Sequence, residues 1–265
     1  MGPLKKQNPW VKEFRQVWRQ EQKFLRRYAR VPEMRPGQML EDRAPQKLME
    51  TIHTAFVKAF GVVFDKGDSI IAKAGRQELR QETFQLNQFA AELREDKRSL
   101  RAFAKEADRA GRGNVLISGA AGIGMGLFGV ALPDVPLFTA MLLKCVYETG
   151  ESFGFGHETE AERLYVLRVI EAALCWGEEL RCRNTELDAY AQTETWPADN
   201  GLEQQLQTTA RRLSQTLVGS KFLQNIPLVG AVGGAEDALY MERVRRYAAI
   251  KYRKRFLIRH RIQTE

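Results

Sequence analysis

The chain has 265 residues, a formal net charge of +8, a hydrophobic content of 44% and a mean hydropathy of −0.40. These values are those of a globular protein that can bury a sizeable core, and they exclude a membrane protein with several spans. The first thirty residues carry charges throughout, so we expect no cleavable signal peptide. The three cysteines are not spaced as in a metal or redox motif, and we interpret them as reduced thiols of a cytoplasmic protein.

The positive charge is concentrated at both ends of the chain. Residues 1–36 contain ten Lys and Arg against three Glu, and residues 243–265 contain nine against one Glu. This asymmetry indicates an anionic partner, either phospholipid headgroups or nucleic acid, although two solvated helix faces would give the same pattern. We therefore expect a cytoplasmic protein that can lie peripherally at the inner face of the cell membrane.

An amphipathic helix is predicted near the N-terminus, with an aromatic face and a basic face. Its apolar residues recur at helical spacing and are Trp10, Phe14, Val17, Trp18, Leu25 and Tyr28. The helix has to end before Pro32, which cannot continue it. We predict a basic N-terminal helix and arm over residues 1–45, followed by a helical domain over 46–265. Trp10 and Trp18 are suited to a membrane interface.

Most of the remaining chain also shows helical spacing of apolar residues. Further helices are predicted over residues 46–64, 69–108, 202–218 and 235–259. Gly67-Asp68 should end or bend the first of these. Thr159 is predicted to cap another helix that carries Glu162 at its third position, and a loop is expected over 193–201. No segment alternates like a strand over a useful length, so we predict an all-α fold built as a single large helical bundle.

A glycine-rich stretch, Val115–Leu143, forms the predicted centre of this bundle, and Asp134 is its only charge. It is broken at Leu-Pro-Asp-Val-Pro, residues 132–136. Gly122 and Gly126 lie four residues apart, which allows another helix backbone to approach closely. The stretch could be a buried helical hairpin, a re-entrant or interfacial membrane element, or a two-span hairpin. We favour the buried hairpin over the re-entrant element, and the two-span hairpin is least favoured because the second arm is too short to span a bilayer.

Two short motifs suggest a nucleotide site, but their context does not. Residues 124–129 fit GxGxxG, and Tyr247 and Lys251 have the YxxxK spacing of short-chain dehydrogenases. A dinucleotide site needs this motif within a βαβ unit, with an acidic residue about 20 positions further on for the ribose, whereas here two prolines and another apolar helix follow. The three histidines are scattered and form no cluster for a metal. We therefore predict neither a nucleotide, nor another cofactor, nor a metal.

Four motifs occur together in this chain. They are the glycine-rich run into residues 132–136, the run Glu162-Arg163-Leu-Tyr-Val-Leu167, the second glycine motif Ile226–Ala235 and the basic run Tyr252–Leu257. Their order and spacing over residues 45–258 resemble the EcsC family of bacterial proteins. The resemblance implies an α-helical protein, with a family name that comes from an operon shared with an ABC transporter affecting secretion. It implies no established catalytic residues.

The sequence favours a non-enzymatic protein that associates with an anionic membrane or binds a lipid or apolar ligand near the glycine-rich hairpin. The candidate ligand- or membrane-binding residues are Trp10, Trp18, Gly122, Gly126, Pro133, Asp134, Pro136, Pro227, Gly230 and Arg255. Asp134 could instead be a helix cap. The alternative is a hydrolase that uses a buried cluster of Asp134, Glu162 and Arg163. A protein partner stays open, and nucleic acid is disfavoured because no known binding motif is present.

Overall fold

The structure is a computed structural model that describes residues 8–31, 46–74, 135–197, 201–223 and 233–264. Within these ranges the chain forms seven helices and no strand, which confirms the predicted all-α class. The helices are α1 (Pro9–Arg27), α2 (Gln46–Ala74), α3 (Val135–Glu151), α4 (Glu160–Leu174), α5 (Gly177–Thr193), α6 (Leu202–Leu223) and α7 (Gly233–Thr264). No helix in these ranges is both long enough and apolar enough to cross a membrane.

Two helices, α4 and α7, lie at the centre of the bundle. Every residue of α4 from Leu164 to Leu174 is buried, as is typical of a helix that is covered on all sides. On α4 pack α5, α6 and α7, while α7 also contacts α1, α3 and α5. Helix α2 completes the bundle by packing against α3 and α6. The first and last described helices, α1 and α7, therefore lie side by side.

The start of α4 follows the predicted capping pattern. The Thr159 hydroxyl accepts a hydrogen bond of 3.2 Å from the backbone N–H of Glu162, which confirms Thr159 as the N-cap. Glu160 and Glu162 in the first turn also suit the positive end of the helix dipole. Capping and charge therefore place the beginning of α4 where the sequence predicts it.

The turn between α4 and α5 is short and is not predicted by the periodicity of the sequence. Only Cys175 and Trp176 separate the two helices, and Gly177 follows with a φ of +58°. A Cβ at this position would lie 3.2 Å from Val31 Cγ2, and the backbone conformation itself favours glycine. The Gly177 N–H donates to the Tyr28 carbonyl at 2.9 Å, so this turn holds the end of α1.

The observed helix boundaries correct one prediction and confirm another. Helix α2 does not end at Gly67-Asp68 but continues to Ala74. Glycine costs a helix about 1 kcal/mol, which packing of the helix can offset. For the described part of the predicted loop over 193–201, residues 194–197 and 201, the prediction is confirmed, because α5 ends at Thr193 and α6 begins at Leu202. The predicted helix beyond residue 74, the glycine-rich run 115–134 and residues 226–232 of the second glycine motif lie outside the described residues and stay predictions.

The cap of α4 gives a first test of the fold. Replacing Thr159 with Ala removes the acceptor for the Glu162 N–H and should lower the free energy of unfolding by about 1 kcal/mol. Urea unfolding followed by circular dichroism measures the change. The matched control is Thr185→Ala, because this exposed threonine lies within α5 and its hydroxyl bonds only the Arg181 carbonyl. The control should change stability by no more than about 0.5 kcal/mol, and an equal loss in both variants would contradict the capping role.

Candidate functional site

The cations of α7 lie mostly inside the bundle. Arg243, Arg245, Lys251, Lys254 and Arg255 are all buried. A buried charge is costly unless an opposite charge and hydrogen bonds compensate it. Helices α1, α4 and α5 supply carboxylates to Lys251, Lys254 and Arg255, whereas Arg245 pairs with Glu242 of α7 itself. Arg246 and Arg259 keep exposed surface but pair with Glu242 and Glu194, so much of the positive charge of residues 243–260 is compensated within the described chain.

Two lysines of α7 share two carboxylates in a closed arrangement. Lys251 Nζ lies 2.9 Å from Glu21 Oε1 and 2.5 Å from Asp188 Oδ1. Lys254 Nζ lies 2.5 Å from Glu21 Oε2 and 2.8 Å from Asp188 Oδ2. The four charges cancel, and they join α1, α5 and α7 at one point. Burial alone would lower the pKa of Lys254, but Glu21 and Asp188 raise it above its ordinary value.

A neutral hydrogen-bond network extends this arrangement along α5. Lys251 Nζ also donates to the carbonyl of Asn184 and to its Oδ1, at 3.3 and 3.1 Å. The Tyr247 hydroxyl donates to the same Oδ1 at 2.9 Å, and burial raises the Tyr247 pKa well above its ordinary value. The YxxxK spacing of α7 thus places Tyr247 and Lys251 on one face of a helix, where both bind Asn184. Both side chains are buried, and their partners are structural.

Arg255 is held in an aromatic cage with a carboxylate at one side. Its Nη1 and Nη2 donate to the two Glu162 oxygens at 2.7 and 2.5 Å, which is the bidentate geometry of a strong charge-assisted pair. The guanidinium carbon lies 4.1 Å from the ring centroid of Phe155, 4.8 Å from that of Tyr165 and 4.9 Å from that of Tyr190. Although burial alone would lower the Arg255 pKa, the Glu162 pair raises it. With 1% of its surface exposed, Arg255 gains no support as a membrane-contacting residue.

Arg243 joins the end of α1 to the turn between α4 and α5. Its guanidinium carbon lies 3.7 Å from the Tyr28 ring centroid and 4.2 Å from that of Trp176. Its Nη2 donates to the Cys175 carbonyl at 2.6 Å. Burial lowers the Arg243 pKa to about 10, so the side chain keeps its charge at neutral pH. This contact and the lysine pairs hold α1 on α7 at separate places.

The proposed hydrolase residues are held by different partners. Glu162 binds Arg255, whereas Arg163 Nε donates to the His157 carbonyl at 3.3 Å. The Arg163 guanidinium also lies 5.6 Å from the Phe64 ring centroid. The two side chains thus have separate structural contacts, and this arrangement gives the hydrolase hypothesis no support. Asp134, the third member, lies outside the described residues, and α3 begins directly after it at Val135.

One group of side chains has the geometry of a metal site but not its chemistry. Single ligand atoms of Glu171, Cys175 and Glu179 lie within 4.8 Å of one another. Arg183 lies 3.2 Å from Glu171, and Arg212 pairs with Glu179, so arginines already neutralise both carboxylates. Burial raises the Cys175 pKa to about 12, which keeps the thiol protonated. We therefore assign no metal to this group.

The two faces of α1 carry opposite charges. Its carboxylates, Glu13 and Glu21, point inward and are each 1% exposed. Glu13 pairs with Arg253 of α7, and Glu21 with the two lysines. The sequence pattern did not single out these carboxylates as functional residues. Both fall on the apolar side of α1, where a charged side chain would need a buried partner of opposite charge. Both acidic residues of α1 are thus used to hold it on α7.

The outward face of α1 and the residues just after it is cationic. Its exposed charged residues are Arg15, Arg19, Lys23, Arg26, Arg27 and Arg30. None of them pairs with a carboxylate in the part of the chain that the structure describes. Val11 and Trp18, exposed by 41% and 50%, lie seven residues apart on the same side of the helix. We call this set of eight residues the cationic face.

The two predicted interface tryptophans have different surroundings. Trp18 belongs to the cationic face and is half exposed. Trp10 is partly buried against α7, where its ring stacks on His260 with a centroid distance of 5.1 Å and lies 6.1 Å from Phe256. Of the two, only Trp18 is available to a membrane in this arrangement.

The remaining candidate residues belong to the two glycine motifs of the sequence. Pro136 lies in the first turn of α3. The others are outside the described residues, and these are Gly122, Gly126, Pro133, Asp134, Pro227 and Gly230. A lipid or ligand site beside the hairpin therefore stays a prediction.

The lysine–carboxylate arrangement gives a test of what holds α1. Replacing Glu21 with Gln keeps the shape of the side chain but leaves two buried lysines with only Asp188. Breaking a buried pair in this way should cost about 3–5 kcal/mol, measured by urea unfolding. The control Glu203→Gln changes an exposed carboxylate of α6 that accepts one bond from Gln207 and should have almost no effect.

A second substitution shows whether charge balance is the cause. Adding Lys254→Gln to the Glu21→Gln variant restores a neutral arrangement, so the double variant should be more stable than the single one. If the two losses simply add, the residues do not act as a charge-compensated unit.

The chain matches a protein-family model over almost its full length. The model of the EcsC protein family matches residues 7–257, nearly the whole chain, and the match includes α1, which precedes the motifs seen in the sequence. Among curated proteins and among solved structures, nothing matches the chain. Because the family match covers residues 7–257, which include six of the described helices and most of α7, the chain belongs to the EcsC protein family.

Proposed function

We propose that this protein is non-enzymatic and binds peripherally to the anionic inner face of the cell membrane through the cationic face of α1. The observation that carries the proposal is the separation of charge on this helix. Both carboxylates point inward, and six cations with an exposed tryptophan point outward. The resemblance to the family implies an operon shared with an ABC transporter, and such an operon is compatible with a location at the membrane.

The proposal assigns the membrane contact to α1 rather than to α7. Both helices look equally basic in the sequence, but the α7 cations from Arg245 to Arg259 have carboxylate partners. An ion pair within the protein would have to be broken before such a side chain could bind a headgroup. The cations of α1 face no such cost, since no described carboxylate pairs with them.

Two kinds of interaction support binding to a bilayer. Each Lys or Arg close to an anionic surface contributes about 1 kcal/mol at physiological salt, and this attraction falls off within a Debye length. Trp18 and Val11 add apolar surface that can enter the headgroup region. Because α1 is docked on α7 by its opposite face, binding requires no rearrangement of the bundle. The lipid or apolar ligand predicted beside the glycine-rich hairpin is a separate part of this hypothesis.

Flotation with lipid vesicles tests the proposal on the full chain. The protein should float with vesicles of phosphatidylcholine plus phosphatidylglycerol and stay behind with phosphatidylcholine alone. Binding should weaken strongly in 1 M salt, where the Debye length is about 3 Å. The variant Arg15→Glu/Arg19→Glu/Lys23→Glu removes about 3 kcal/mol of attraction and should bind at least about 100-fold more weakly. Trp18→Ala should weaken vesicle binding less than the triple variant does. Because the lost contact is apolar, the remaining binding should still weaken in 1 M salt.

The matched control reverses three exposed cations elsewhere. Lys58→Glu/Arg181→Glu/Arg211→Glu changes the net charge by the same amount on α2, α5 and α6. This variant should retain most of the binding. Equal losses in both triple variants would mean that overall charge, and not the cationic face, attracts the protein. Failure of the unchanged protein to float with anionic vesicles would overturn the proposal.

A further inference from the structure

The cations of the cationic face are almost all arginine. Five of the six are arginine, namely Arg15, Arg19, Arg26, Arg27 and Arg30, and Lys23 is the exception. A guanidinium offers five N–H donors in a planar fork that can bind two oxygens of one phosphate, whereas an ammonium acts as a point charge. Attraction by charge alone would be served equally well by lysine. The composition of this face therefore favours direct hydrogen bonding to an oxyanion.

The spacing of these arginines allows neighbouring forks to act together. Arg15 and Arg19 are four residues apart, as are Arg19 and Lys23, and Arg26 is three residues beyond Lys23. Residues at these separations lie on the same side of a helix with their Cβ atoms about 5–6 Å apart. The face thus presents a row of cations along α1. Two adjacent forks can reach two phosphates that belong to one small headgroup.

The forks are also free to bind, and partly oriented. The Arg26 Nε donates to the Gln22 carbonyl at 3.3 Å, which holds the side chain along the helix. The Arg255 guanidinium is an example of such binding within this protein, because it donates one hydrogen bond to each of the two Glu162 oxygens. No carboxylate in the described ranges accepts hydrogen bonds from Arg15, Arg19 or Arg26.

We infer that the cationic face recognises headgroup phosphates directly and prefers a phospholipid with two phosphates joined through one glycerol. This inference rests on the proposed function and adds the class of lipid. The exposed Trp18 and Val11 within the face favour a lipid surface over nucleic acid, since they offer apolar contact with the headgroup region. Arg15 and Arg19, the neighbouring pair of arginines in this row, bind one such headgroup with one fork on each phosphate.

The test compares two vesicles of equal surface charge. One carries phosphatidylglycerol, and the other carries half as many molecules of diphosphatidylglycerol, so that phosphate and charge are matched. The unchanged protein should bind the second about tenfold more tightly, which corresponds to one additional charge-assisted hydrogen bond. In the variant Arg15→Lys/Arg19→Lys/Arg26→Lys the net charge is unchanged, and the preference should disappear while binding to both vesicles remains.

The control variant is Arg181→Lys/Arg211→Lys/Arg246→Lys, which changes three exposed arginines outside the cationic face and should keep the preference. Equal binding of the unchanged protein to both vesicles overturns the phosphate inference while leaving the membrane proposal intact. A preference that survives in the α1 lysine variant also overturns it. Release from vesicles by double-stranded DNA at an equal phosphate concentration would assign the face to nucleic acid and overturn the lipid assignment.

Discussion

The structure depends on the pairing of buried cations in α7 with carboxylates from three other helices. A buried ion that lacks a partner costs several kcal/mol, so α7 can occupy the centre only where α1, α4 and α5 bring acidic groups to it. Glu21 and Asp188 pair with two lysines, and Glu162 pairs with Arg255. These ion pairs connect α7 to α1, α4 and α5 at fixed positions, so together they help to define how the helices lie against α7. Apolar packing alone is less selective about register.

The same pairing determines the charge that the surface presents. The two carboxylates of α1 pair with cations inside the bundle, so the exposed charged residues of this helix are all cations. The sequence shows two equally basic ends, but the fold neutralises one of them and exposes the other. Net charge along a chain therefore overstates the electrostatic attraction of a protein whose cations pair internally. The proposed membrane surface follows from this difference between α1 and α7.

Much of the helical fold was predictable because its signals are local. The Thr159 cap, the loop over 193–201 and the amphipathic α1 follow from neighbouring residues. The burial of α7 was not predictable, because periodicity reports apolar residues and its buried face contains Arg243, Lys251 and Arg255. Such side chains become interior only through partners far away in the sequence. The family motifs also gave no sign of Glu21, which precedes them all.

The contact between α1 and α7 has a consequence for the order of folding. Lys251 meets Glu21 across 230 residues of chain, and Arg253 meets Glu13 across 240. Contacts between residues so far apart form slowly, because a long loop must close before they contribute stability. During synthesis α1 leaves the ribosome well before α7, so its two inward carboxylates stay in water until the last helix is complete. We therefore expect the docking of α1 on α7 to be a late step, in which Lys251 and Arg253 bring cations to the two inward carboxylates of α1.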